Sequence, residues 1–232
     1  MIQEITRRCY VNGIFQAIYT AGIILPKPVA TCRYFHRSLN WEKLYNVGFA
    51  PLPPGSTKAL QISKNKLPSS TSTLGLRQMQ QKDVDGVLDL LRRYLNRVDL
   101  AQNFSREEIE HWLLHQEKVA SERVVWTYVV EEPETNKLTD FFSFYALNST
   151  VIDNSKHEQI RAAYLFYYAS EAAFSTEKAA LKTRMRTLMK DALIIARNVS
   201  DLVSYQLTQP SAFAGCLHAN VNCRRNSTSS TP

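Results

Sequence analysis

Two aromatic runs, Phe141-Phe142-Ser143-Phe144-Tyr145 and Tyr164-Leu165-Phe166-Tyr167-Tyr168, constrain the fold of this chain more than any other feature. Successive side chains of a strand point to opposite faces, so a run without polar alternation needs cover on both sides. Val124–Val130 has the same character, and the polar turn Glu131–Lys137 joins it to the first aromatic run. These segments therefore read as neighbouring central strands. Before them come a short strand, Leu76–Met79, and a helix whose apolar residues Val84, Val87, Leu88, Leu91 and Leu95 fall three and four apart. Ser105 and Glu108 have the spacing of a capping box, which opens a short helix carrying Ile109, Trp112 and Leu113. A stripe of Leu181, Met185, Leu188, Ala192 and Ile195 marks the last helix.

The order is strand, helix, helix, strand, strand, strand, helix. It predicts an α+β fold with a mixed, mostly antiparallel sheet flanked by helices, an order that resembles the GNAT-like acyltransferase fold. Residues 1–50 read as strands and short turns, and the Pro26-Lys27-Pro28 step must be extended. Residues 51–74, rich in Pro, Ser, Thr and Lys, read as a surface linker. Past Asn198 no sustained periodicity is found, and residues 199–232 are expected to be a disordered tail.

Composition narrows the chemistry. Residues 1–68 carry nine Lys/Arg against Glu4 and Glu42, which accounts for the whole net charge of +7. Without a dense cationic run or aromatics between cations, this points to a missing acidic protein surface and not to a nucleic-acid partner. No window approaches the ~18 apolar residues of a membrane span, and the N-terminus has no signal-peptide h-region. Cys9, Cys32, Cys216 and Cys223 lack the spacing of a disulfide scaffold or a metal site, so reduced thiols in the cytoplasm are expected. His111 and His115 stand four apart, but no glutamate beside them and no third ligand completes a zinc site, so no metal is expected. The segment before the last helix, Ala169–Lys178, has no glycine and two glutamates. That composition does not suit the pyrophosphate of coenzyme A. The aromatic runs, with Tyr34-Phe35-His36, instead offer rings with polar tips, which suit an extended peptide.

Five stretches, in order, carry a family resemblance: Glu4–Arg8, Tyr19–Val29, Thr31–Asn40, Thr139–Tyr145 and Ala163–Tyr168. Over residues 4 to about 198 the chain resembles N-myristoyltransferase of the fungal type. That family has two GNAT-like halves; the first holds myristoyl-CoA and the second forms most of the peptide groove. The resemblance divides the chain into 1–73 (the end of the N-terminal half with junction strands and linker), 74–198 (the C-terminal GNAT-like domain) and 199–232 (the unrelated tail). It places Tyr19, Thr20, Tyr34, His36, Phe49, Ser149 and Tyr164 along the peptide groove. It implies transfer of a myristoyl group from myristoyl-CoA to the N-terminal glycine of proteins, by a monomer. The family's Glu-x-Asn-x-Leu-Cys-x-His-Lys signature and oxyanion-hole amides lie upstream of Met1, and its Gly-Asp-Gly segment is replaced by the tail. The chain is thus expected to be truncated at both ends, with no catalytic or cofactor-binding residue of its own, and inactive alone. The alternative expectation is a non-enzymatic peptide-binding or regulatory remnant.

Overall fold

The structure, a computed structural model, describes residues 1–15, 33–98, 101–115, 123–152, 154, 156–199 and 202–209. Among these, six strands form one sheet: β1 (Arg33–Ser38), β2 (Leu76–Gln78), β3 (Val125–Glu131), β4 (Leu138–Thr150), β5 (Gln159–Ser170) and β6 (Leu202–Gln209). Their order across the sheet is β1-β6-β5-β4-β3-β2. All pairings are antiparallel except β5 with β6. The helices are α1 (Ile2–Val11), α2 (Trp41–Asn46), α3 (Lys58–Asn65), α4 (Val84–Leu95), α5 (Arg106–Leu113) and α6 (Lys178–Asn198). The expected α+β class with a mixed, mostly antiparallel sheet is what forms.

The core collects the apolar positions read from the sequence. Val84, Val87 and Leu91 of α4, Ile109 of α5, and Phe141, Phe142 and Phe144 of β4 are completely buried, with Leu188 and Ala192 of α6. Ser105 caps α5 by accepting from the Glu108 N–H, while the Glu108 carboxylate accepts from the Ser105 N–H at 2.8 Å. The β3–β4 turn closes through Glu132 and Lys137, with Asn136 in the left-handed region at φ 55°.

One irregularity in β5 sets which rings face which way. The register slips between Phe142 and Phe144, so that Phe142 faces Tyr168 but Phe144 faces Leu165. Ser143, fully buried, fills the gap: its Oγ donates to the Tyr167 carbonyl at 2.8 Å and accepts from the Tyr167 N–H at 2.9 Å. Both ladder groups left over by the extra residue thereby find a partner.

Three expectations are corrected. Within residues 1–50, Ile2–Val11 and Trp41–Asn46 are helices and not strands. Local pairing explains α1, where Glu4 holds Arg7 and Arg8 three and four residues on. An Asn40 cap that accepts from the Lys43 N–H opens α2. The surface linker contains α3, capped by Thr57, and its last part is fixed on α6. There the buried Asp191 carboxylate accepts from the Ser72 and Thr73 N–H groups, both at 2.9 Å, and Arg197 donates to the Leu67 and Pro68 carbonyls. Lastly, Leu202–Gln209 of the expected tail is β6, held by backbone pairing to β1 and β5. A strand is stabilised by its ladder wherever two edges are open to it, whatever the helical period of its sequence.

Candidate functional site

The sheet register lines up residues that are far apart in sequence. Tyr145 of β4 lies opposite Tyr164 of β5, Tyr164 opposite Gln206 of β6, and Gln206 opposite His36 of β1. Directly opposed residues share a face, so these four positions form one row across four strands. Strand spacing puts His36 and Tyr164 about 10 Å apart, with β6 between them.

The rings of the row are packed. Tyr145 and Tyr164 stack at 5.3 Å with planes 16° apart, and Phe166 sets its edge against Tyr145 at 5.6 Å. At the β1 end Phe49 meets His36 at 5.4 Å, edge to face. Phe49 is aimed there by the end of α2. Gly48, at φ +76°, donates to the Tyr45 carbonyl, and Phe49 then donates back to the Leu44 carbonyl. A left-handed residue is needed at that step, and glycine takes it without strain. Trp41 and Leu44, both buried, anchor the short helix beneath. Phe49 itself is 52% exposed, which leaves an apolar surface open beside an imidazole.

Of the residues expected along a peptide groove, His36 and Phe49 thus touch, and Tyr164 lies on the same row across β6. Ser149 does not join the rings. It is exposed on the same face of β4, four residues from Tyr145 and therefore about 13 Å further along the strand. The backbone of Tyr34 stands in β1 opposite Thr208, and its side chain lies outside the described residues. Tyr19 and Thr20 also lie outside the described residues.

Two members of the row were not singled out from the sequence. Tyr145 could have been, because stepping back by twos from Ser149 along β4 reaches it. Gln206 sits in a segment that alternates, with Val203, Tyr205 and Leu207 between Ser204, Gln206 and Thr208. That period of two was the available signal.

The surrounding chemistry is acid–base pairing. The segment Glu171–Phe174 makes a 3-10 turn ahead of α6. Hydrogen bonds from Arg93, and more weakly from Lys137, hold the Glu171 carboxyl below its usual range. An ionised carboxylate therefore stands just ahead of α6. At the far end of β4 the buried Asp140 accepts from Ser170 Oγ at 2.5 Å and from Arg184 Nη2 at 2.5 Å. Burial pushes the phenols of Tyr94 and Tyr167 up to about 12. His111 is exposed and packs edge-on against Trp112. Among the described residues no group of three His, Cys, Asp or Glu could hold a metal, and no helix is long and apolar enough to cross a membrane.

Comparison with known proteins gives a consistent result. The family model described as "Myristoyl-CoA:protein N-myristoyltransferase, C-terminal domain" matches residues 46–209, and that of the N-terminal domain matches residues 1–32. The glycylpeptide N-tetradecanoyltransferase of Aspergillus fumigatus is 64% identical over 197 residues, 85% of this chain and 40% of that protein. The enzyme of the same name from Saccharomyces cerevisiae is 46% identical over 216 residues, 90% of this chain and 47% of that protein. The crystal structure of Saccharomyces cerevisiae N-myristoyltransferase with bound myristoyl-CoA superposes with a TM-score of 0.82 at 44% identity. That match covers 89% of this chain and 48% of the yeast chain. The chain thus spans less than half the length of these relatives.

Proposed function

The chain belongs to the myristoyl-CoA:protein N-myristoyltransferase family, and from that premise we propose that it supplies the peptide-binding face for myristoylation of N-terminal glycines. The observation that carries this reading is the row Tyr145–Tyr164–Gln206–His36, closed at one end by Phe49. Phe49 and His36 wall a narrow entrance that admits a residue without a side chain. Tyr164, stacked on Tyr145, forms the floor. Ser149, about four extended residues away on the same face, meets the peptide downstream of its glycine. Tyr34, Tyr19 and Thr20 complete the groove in this reading.

In the reaction the glycine nitrogen attacks the thioester carbonyl of myristoyl-CoA, a C–N bond forms, the C–S bond breaks, and coenzyme A leaves as its thiol. The residues of this chain hold and orient the amine-bearing strand, and myristoyl-CoA enters as co-substrate. Orientation of that kind converts a bimolecular encounter into a near-unimolecular step. The reading places the protein in the cytoplasm, supported by cysteines without scaffold spacing, where it acts as a monomer on proteins that become lipid-modified. Its family membership favours this reading over a non-enzymatic remnant.

The test is binding of a fluorescent octapeptide that begins with glycine and carries serine downstream. Affinity should fall at least about tenfold when the glycine is acetylated or replaced by leucine, and similarly for Phe49→Ala. Equal affinity for the free and the blocked peptide would count against the groove.

A further inference from the structure

The molecule has two clefts of similar size whose cations are treated differently. The first, of about 590 Å³, is lined by residues of β2, α4, the β3–β4 hairpin and Glu171. Each of its cations has a carboxylate. Arg77 bridges Asp83 and Glu131, Arg93 bridges Asp89 and Glu171, Lys82 faces Glu131 at 3.7 Å, and Lys137 faces Glu171 at 3.3 Å. That cleft is neutralised from within.

The second, of about 550 Å³, lies between α2, α3 and the end of α6. Lys43, Lys66 and Arg197 line it, together with one acid, Glu42. Among the described residues none of the three cations is within ion-pair distance of a carboxylate. Arg197 donates only to neutral carbonyls, those of Leu67 at 2.7 Å and Pro68 at 2.9 Å. Between the cations the lining is partly apolar, made by Leu39, Trp41, Ile62 and Leu67 beside Asn40 and Asn65, and Ile62 is 45% exposed. Nine of its ten lining residues belong to the first 68 residues, which carry the entire net positive charge of the chain.

We propose that this second cleft is a docking site for an acidic polypeptide segment. Its carboxylates meet Lys43, Lys66 and Arg197, and one of its apolar side chains lies against Ile62 and Leu67. Charge complementarity selects an anion, and the N–H groups of Arg197 not engaged with Leu67 and Pro68 suit a carboxylate. The apolar part of the lining selects a polypeptide over a nucleic acid. Nucleic-acid sites of this size track a phosphate backbone with many cations and stack bases on open rings. Here the cations are three, and Trp41 is buried and stacked on Tyr45. The site is separate from the row of rings and does not depend on the peptide-groove reading.

The test uses the whole chain and the fluorescein-labelled probe acetyl-Asp-Glu-Glu-Leu-Glu-Asp-amide, whose blocked terminus keeps it out of a glycine-binding groove. Saturable binding is expected, weakened about tenfold or more between about 50 and 500 mM salt. Replacing the probe's leucine by serine should weaken it several-fold. A Lys43→Glu/Lys66→Glu double variant should lose the acidic probe and gain the lysine counterpart, acetyl-Lys-Lys-Lys-Leu-Lys-Lys-amide. That gain of binding shows that the variant is folded, as does a melting curve matching the parent's. The proposal fails if the acidic probe does not saturate, or if the double variant binds it as the parent does. It fails too if inorganic phosphate or polyuridylate displaces the probe at equal charge concentration, which would mark a generic anion surface.

Discussion

The β4–β5 pair has two ends that behave as different materials. From Asp140 to Phe144, and from Tyr167 to Ser170, every residue is buried, and Asp140, Ser170 and Arg184 close the far end with charge-assisted bonds. From Tyr145 to Thr150, and from Gln159 to Tyr164, only Ala163 is buried, and the strands carry Tyr164 and Ser149. The Ser143–Tyr167 bulge is the boundary between them. One end is a core that fixes the sheet, and the other is a surface that the core holds in place. Rings on the same pair of strands therefore have different work: Phe142 is locked in the core, while Tyr164, under the proposed function, faces the peptide.

The comparison can be broken by substitution. The largest effect belongs to the core end. Phe142→Ala removes a fully buried ring stacked on Tyr128 and should cost about 3–5 kcal/mol in a urea melt. A loss under about 1 kcal/mol would mean that this end is not a packed core. At the boundary, Ser143→Ala strands the Tyr167 N–H and carbonyl without their side-chain partner. A cost of about 1–3 kcal/mol is expected, with faster amide exchange at Tyr167 as the local signature.

Alkaline pH sharpens the same boundary with a smaller effect. Tyr94 and Tyr167 are held near 12 by burial, above the ordinary tyrosine value of about 10. A raised folded pKa means that the unfolded chain loses its phenolic protons first. The contribution of these tyrosines to stability is thus complete below about pH 9–10 and disappears as pH rises through about 12. Melts recorded alongside tyrosinate absorbance should show stability falling only in that window, and a flat profile across it would put both phenols in water. The smallest effect belongs to the open end. Ser149→Ala should change stability by less than about 0.5 kcal/mol, while weakening the glycine-initiated octapeptide several-fold. A large loss of stability there would make Ser149 part of the scaffold.

How much of this could be read in advance depended on where the information lay along the chain. The stripes of α4 and α6, the Ser105–Glu108 box, the β3–β4 turn and the ring runs are local patterns, and all correspond to structure. His36, Phe49 and Tyr164 were named because the family resemblance carried them. Their assembly into one row depends on β6 lying between β1 and β5, a fact of topology that no stretch of sequence contains. The parity change at Phe166–Tyr167 was equally hidden, because a bulge belongs to a pair of strands and not to one. α1 buries no residue, so the core leaves no mark on its pattern, and its i,i+3 and i,i+4 ion pairs are the only local sign of it. β6 was missed for a different reason: its alternation is present over only 8 residues of a tail without sustained periodicity.

The pairing of β1 with β6 joins residues about 170 positions apart, whereas β3, β4 and β5 follow one another. Loop-closure entropy delays contacts of such separation, so during folding the hairpins should lock first and the β1 edge last. His36 and Tyr164 then join one row only once the chain extends as far as β6. On a ribosome the row of rings is therefore finished after the core that supports it.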